Sequence, residues 1–292
     1  MLHFDPVQHK YTDKENNVYT SMTSLIGKYS PKFEDDSDYW LTYKAIQYLS
    51  GDIPAEKINK FSPEIKDKTT QLCQEILGMD YLFTGMSKVL TNSMSQKRIM
   101  ITDTGLLGKV KEIIAKSWSD KGDKSRTDGT AFHLKQESIQ ETTYKKTEYK
   151  LDNWNFDHTT NLFNFTPGKM YNEVILANKE HLISGTADRI HSNKGLLVRD
   201  HKTNETIDTQ GFRGERLLYP LNNFQNCSLD KYTIQLSGYA YMLECLGYKI
   251  ECLEIDHYTK TSEGQYKLKE TIPIVYQKDL IIELFKHHKA SL

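Results

Sequence analysis

Nowhere among the 292 residues is there an apolar run of about eighteen or more, so no transmembrane helix is expected. The opening MLHFDPVQHKY lacks the charged-then-apolar order of an export signal, which makes a cytoplasmic location the expectation. Cysteine is scarce. Four in a chain of this length do not build a disulfide framework, and that fits a reducing compartment. Neither sign of charge dominates, since 38 Lys plus Arg face 39 Asp plus Glu for a formal net charge of −1. This balance excludes a histone-like basic protein and an acidic disordered tail, yet leaves room for a local basic groove. No repeat of roughly 20 to 50 residues and no low-complexity segment occurs. What is present is an apolar fraction of 38% and a charged fraction of 26%, enough for a packed core in one large domain or in a catalytic domain with an accessory region.

The pattern along the chain divides it near residue 125. Residues 1–20 alternate loosely around an Asn-Asn turn and suggest a small hairpin, after which Ser21 to Thr23 can cap a short helix through Leu25 and Ile26. From Tyr39 to about Leu90 the apolar spacing is helical, and a further helix is expected from Thr104 to Trp118. Residues 1–125 therefore read as a mainly helical N-terminal region with a small hairpin. Between Ser87 and Arg126 nine Lys or Arg stand against four Asp or Glu. That surplus fits either a solvated face or a nucleic-acid path, with Lys97, Arg98 and Lys124 as contacts.

Residues 126–292 have a different character. A helix capped by Thr127 or Asp128 is expected to run to Ile139, followed by an insertion of short strands and loops over 142–170. Strands are expected at Tyr171–Ala177, Ile183–Ile190 and Leu196–Lys202, the last two joined by a hairpin turn at 192–195. A long connection leads to a strongly apolar helix over Leu229–Leu246, stopped by Gly247. Strands Ile250–Tyr258 and Tyr266–Val275 and a helix from Lys278 to about Lys289 complete the chain. Strands, a crossover helix and further strands describe an α/β fold with a central mixed sheet flanked by helices.

The hairpin ISGTADRIHSNKGLLVRDHKT carries the chemistry. A turn centred near Asn193 and Lys194 brings Asp188 opposite Asp200 or within one residue of it, and Lys202 shares the Asp200 face. Two carboxylates and an ammonium then converge on one patch. As a surface cluster they would stabilise each other by about 1 kcal/mol or less. As a cation site they would be relieved of mutual repulsion by a divalent ion, and oxygen ligands suit Mg²⁺ or Mn²⁺. Three further features sit nearby in the pattern. His133 lies in a helix that begins Gly129-Thr130-Ala131-Phe132, Glu173 opens the apolar run YNEVILAN, and Gln235 and Tyr239 stand four apart on one helix face.

In this order the residues resemble the PD-(D/E)XK nuclease superfamily in its RecB-like branch, and the style of the flanking segments resembles phage-encoded members. The resemblance runs from Gly129 to Tyr258: GTAFH for the first motif, Glu173 for the acidic strand, GTAD for the second, DHK for D-x-K, and QLSGY for Q-x-x-x-Y. It implies a restriction-endonuclease-like sheet and a Mg²⁺- or Mn²⁺-dependent deoxyribonuclease. His133, Glu173, Asp188 and Asp200 match the metal-associated residues, with the main-chain carbonyl of His201 as a further ligand. Lys202 matches the catalytic lysine, while Gln235, Tyr239 and the adjacent Thr203 match the part that supports the site and meets DNA. An exonuclease in recombination, repair or replication is the expected activity, with a recombinase or single-strand-binding protein as an associated partner. An endonuclease of the same fold, or a non-cutting DNA-binding module, stays open. One departure is Arg199 and His201, which flank the aspartate where relatives carry apolar residues. Some relatives hold a four-cysteine iron–sulfur cluster. Here Cys227, Cys245 and Cys252 are separated by 17 and 6 residues with no close C-x-x-C pair, so no cluster is expected.

Overall fold

A computed structural model describes residues 2–5, 10–31, 41, 45, 106–143 and 165–292. The chain divides into two compact units, one formed by Met1–Pro31 with Gly129–Leu292 and the other by Lys32–Asp128. The expected boundary at 125/126 therefore misplaces the first 31 residues, which belong with the core. The reason is strand pairing. Strands β1 (Leu2–Asp5), β2 (Lys10–Asp13) and β3 (Val18–Ser21) form an antiparallel meander, and β3 then pairs in parallel with the much later β5 (Ile183–Ser192). The β2–β3 turn is held by Asp13, whose carboxylate accepts the amide N–H groups of Glu15 and Asn17. Burial, the largest single effect, raises its carboxyl, but hydrogen bonds from the Asn17 side chain and amide, the Tyr19 hydroxyl and the Glu15 amide together outweigh it and lower the group to about 2.

Ser21 caps helix α1 (Met22–Lys28), its hydroxyl accepting from the Ser24 amide at 3.1 Å, as the sequence predicts. Two helices were expected between Thr104 and Ile139, whereas one continuous helix, α2, runs Leu106–Thr143. No proline interrupts Ser119–Arg126, and Thr127 does not act as a cap. Its hydroxyl donates to the Asp123 carbonyl one turn back, and Arg126 pairs with Asp123 on the helix surface. Apart from residues 41 and 45, the predicted helical stretch 39–90 lies outside the described residues, as do Lys97, Arg98 and most of the 142–170 insertion.

The remaining elements match the sequence pattern closely: β4 (Met170–Asn178), β5, β6 (Leu196–Lys202), α3 (Ser228–Cys245), β7 (Ile250–Lys260), β8 (Tyr266–Ile274) and α4 (Lys278–Ala290). They form a mixed α/β sheet in the order β1-β2-β3-β5-β6-β7-β8, with β4 paired to β5. Gly247 ends α3 with φ +87, the left-handed position that its lack of a side chain allows. One face of the sheet (Val174, Leu176, Ile190, Val198, Leu253, Ile255) packs against Ile234, Leu236, Ala240 and Leu243 of α3, with α1 and α4 closing the core. Among the described residues no helix is long and apolar enough to cross a membrane.

The sheet opens at one point. β4 pairs along β5 on one edge, whereas the other edge is shared: β6 pairs Arg189–Ser192 and β3 pairs Ile183 and Ser184. Residues 185–188 thus face a gap between β3 and β6. Tyr239 of α3 is buried over the start of this gap, and a Cβ at Gly185 would lie 2.5 Å from its ring carbon Cε1. The glycine is what lets the tyrosine seat there. Gly185→Ala is accordingly expected to cost about 1–3 kcal/mol, the range for overpacking a filled site, read from urea unfolding; an unchanged midpoint would contradict the close approach.

Candidate metal centre

Three of the predicted residues meet at the gap. His133 from α2, Glu173 from β4 and Asp188 from β5 each offer a ligand atom, and these atoms lie within 4.8 Å of one another. His133 Nδ1 is 3.6 Å from Asp188 Oδ2 and 3.8 Å from Glu173 Oε1. Ligand atoms held at roughly 2.0–2.1 Å around one small divalent cation stand about 3–4 Å apart, so the arrangement fits such an ion. One imidazole with two carboxylates suits Mn²⁺ or Mg²⁺ better than a thiolate-seeking metal.

Local backbone geometry produces this meeting. Glu173 has φ +50, a left-handed conformation uncommon for a side chain that is neither glycine nor asparagine. The β4–β5 ladder accordingly steps over Glu173 and Asp188, from Asn172↔Arg189 directly to Val174↔Ala187. On the other edge the β5–β6 ladder ends at Arg189↔Arg199, one pair short of setting Asp188 against Asp200. Asp188 Oδ2 instead accepts the His201 amide N–H at 2.7 Å. Strain of this kind, of order 1–3 kcal/mol per residue, is retained where surrounding structure enforces it.

Asp200 and Lys202 lie beside the triad as an ion pair, Lys202 Nζ against Asp200 Oδ2. Asp200 is 1% exposed. The electrostatics follow from this crowding. Burial and then the Asp200 and Glu173 carboxylates push the Asp188 carboxyl well above the usual range, opposed by Lys202 and the His201 amide. Burial alone would lower the Lys202 ammonium, yet the charges of Asp200 and Asp188 outweigh it and hold the group above its ordinary value. His133 is lowered, by burial first and by Lys202, against the pull of Asp200. A neutral imidazole has a lone pair to give, as a ligand requires.

The other predicted residues fall into place differently. Gln235 Nε2 donates to Tyr239 Oη at 2.8 Å, so the two bond each other. Thr203 lies near Gly129, where a Cβ would meet its hydroxyl at 3.7 Å. Lys124 is exposed on α2. His201 meets Asp188 through its amide; its buried ring lies 3.6 Å from Asp256, edgewise on Phe132 and with its centroid 6.3 Å from that of His133, and burial pushes it down to about 3. The departure at Arg199 has a plain reason too. That face of the sheet is polar, with Arg199 paired to Glu254 and 3.4 Å from Asp256. The cysteines Cys227, Cys245 and Cys252 are free thiols on α3's approach, α3's last turn and β7.

Two contributors escaped the sequence reading. Tyr11 of β2 bonds Thr186 at 2.9 Å and feels the charge of Glu173, which ties the N-terminal meander to the site. Tyr232 lies with its ring 4.5 Å from Lys202 Nζ. Its position three residues before Gln235 on the same helix was the available signal.

No protein-family model matches the chain, and no curated protein matches it. Among solved structures, the crystal structure of SSO0001 is similar, at 14% identity and a TM-score of 0.29 over 89% of this chain and 88% of that one. A likeness of that degree carries no weight for fold or function.

The carboxylate crowding generates a stability prediction for the cation-free protein. A carboxyl raised above its unfolded value contributes favourably below the unfolded value and loses that contribution as pH rises through the raised one. At neutral pH Asp188 is therefore a burden to the folded state. Asp188→Asn, which keeps an oxygen to accept the His201 amide, is expected to raise the thermal midpoint at neutral pH. The advantage should shrink as pH is lowered into acid. Melting curves in chelator across that range decide it, and a variant less stable than the parent at neutral pH would contradict the crowding.

Proposed function

We propose that this chain is a metal-dependent DNA nuclease of the PD-(D/E)XK kind, hydrolysing phosphodiester bonds. The observation that carries the reading is the convergence of His133, Glu173 and Asp188 with the buried Asp200–Lys202 pair at the gap in the sheet edge. Surface ion pairs need no such setting, since they form where both charges stay hydrated. Here four acidic or imidazole groups share one recess with a single ammonium, which is the balance a phosphate-handling site with a divalent cation requires.

When bound, a divalent cation supplies a lowered pKa for its water and an offset for the charge of a phosphodiester. The chain's own residues do the rest. His133, Glu173 and Asp188 hold the ligand positions, and the His201 amide orients the Asp188 carboxylate through Oδ2. Asp200 and Asp188 keep Lys202 charged, so its Nζ presents fixed positive charge to a phosphoryl oxygen. Tyr239 is buried beneath β5 with its hydroxyl held by Gln235. We further propose cleavage from DNA ends, in recombination, repair or replication.

Two measurements test this. Digestion of end-labelled linear and closed circular DNA, with and without Mn²⁺, is expected to show Mn²⁺-dependent loss of the linear substrate alone; cutting of the circle would make the enzyme an endonuclease, and no cutting would remove the assignment. In single-turnover cleavage Lys202→Ala should lower the rate roughly 10²–10³-fold with little change in DNA affinity, the size typical of a preorganised electrostatic donor. For the DNA path, neutralising Lys97, Arg98 and Lys124 together should flatten the salt dependence of binding by about one unit of slope for each phosphate no longer neutralised. An unaltered slope would return that stretch to a solvated face.

A further inference from the structure

Lys202 is a long side chain whose ammonium must be held at one place to act on a phosphate, and Asp200 alone restrains it from only one side. On another side lies Tyr232 of α3, its ring centroid 4.5 Å from Nζ. The ring is itself anchored. Tyr232 Oη donates to Asn204 Oδ1 at 2.9 Å, and the Asn204 main-chain carbonyl accepts from His257 Nε2 at 2.8 Å. His257 is fully buried on β7 and faces Glu270 of β8 through Nδ1 at 3.3 Å. A chain of contacts therefore runs from the β7–β8 pair through the loop after β6 to the face of the tyrosine beneath the lysine.

We propose that Tyr232 is a positioning residue for Lys202, holding the ammonium over its ring face while Asn204 and His257 hold the ring. A cation over an aromatic face is attracted without forming a directional hydrogen bond. The ring thus restrains Nζ and leaves its N–H groups available for Asp200 and for an incoming phosphoryl oxygen. A second carboxylate in the same place would neutralise the lysine; an apolar aliphatic side chain would leave it free to swing. Asn204 matters through the tyrosine, because a hydrogen bond at the far end of the phenol keeps the whole side chain from swinging away about its Cα–Cβ bond. The catalytic consequence rests on the nuclease reading above, whereas the restraint on Lys202 does not.

The experiment has two readouts. The first is independent of catalysis: the rate at which an N-hydroxysuccinimide acetate reagent acylates Lys202 in the folded full-length protein, followed by peptide mass spectrometry. Tyr232→Leu should speed acylation of Lys202 several-fold while leaving Lys278 and Lys289 unchanged, and Asn204→Ala should do so to a smaller extent. Tyr232→Phe keeps the ring but loses the bond to Asn204, so it should match the small increase of Asn204→Ala, well short of Tyr232→Leu, which also controls for folding. Equal acylation of Lys202 in Tyr232→Leu and parent overturns the proposal. The second readout is single-turnover DNA cleavage at saturating Mn²⁺. Tyr232→Leu should lose about 10-fold in rate with DNA affinity unchanged, Tyr232→Phe should recover most of it, and Tyr232→Leu should add nothing in a Lys202→Ala background. A further loss in that background overturns action through the lysine. A parent protein that binds Mn²⁺ and cuts no DNA removes the nuclease reading alone, and the acylation rates still decide the positioning.

Discussion

The structure turns on the burial of like charges. Asp188, Asp200 and Glu173 come together where two carboxylates at close range would each raise the cost of ionising the other. Lys202 offsets part of this, and its ion pair with Asp200 is enclosed by α3 rather than set on the surface. Removing one partner of such a pair leaves an uncompensated buried charge, which costs several kcal/mol, whereas a surface pair would be nearly indifferent. The charge that remains after Lys202 is counted is of the sign that a divalent cation would balance.

The opening of the sheet makes that burial possible. Had the β5–β6 ladder continued one pair further, the backbones of Asp188 and Asp200 would have been locked together and the recess closed. Had Glu173 kept ordinary strand geometry, its main chain would have bonded to Asp188 rather than being turned away. β3 takes over the β5 edge beyond the gap, and Tyr11 of β2 reaches Thr186 two residues from Asp188. Packing beneath is equally constrained, because Tyr239 sits against β5 only where Gly185 has no side chain. The stability of the core and the shape of the site are therefore set by the same contacts.

Much of this is legible from residue order. Period-two alternation places Asp200 and Lys202 on one face, and the count across the 192–196 turn places Asp188 beside them. The strand and helix limits from residue 170 onward also follow from local pattern, because apolar spacing and turn residues agree there. Other parts have no local signature. The parallel pairing of β3 with β5 joins residues some 160 positions apart, and no spacing rule announces it. The single helix through Thr127 reads as two because a threonine followed by an aspartate is a good cap, and only the hydroxyl's bond back to Asp123 shows which role it takes. The polar opposite face, with Arg199, Glu254 and Asp256, looks from sequence like a fault in packing; pairing across β6 and β7 explains it.

We propose that His133, Glu173 and Asp188 together bind one divalent cation beside the Asp200–Lys202 pair. The most direct measurement is an anomalous difference map from crystals of the full chain grown with Mn²⁺. One strong peak is expected within bonding reach of His133 Nδ1 and of a carboxylate oxygen from each of Glu173 and Asp188. A well-ordered map with no peak there, or with manganese bound only elsewhere, would contradict it.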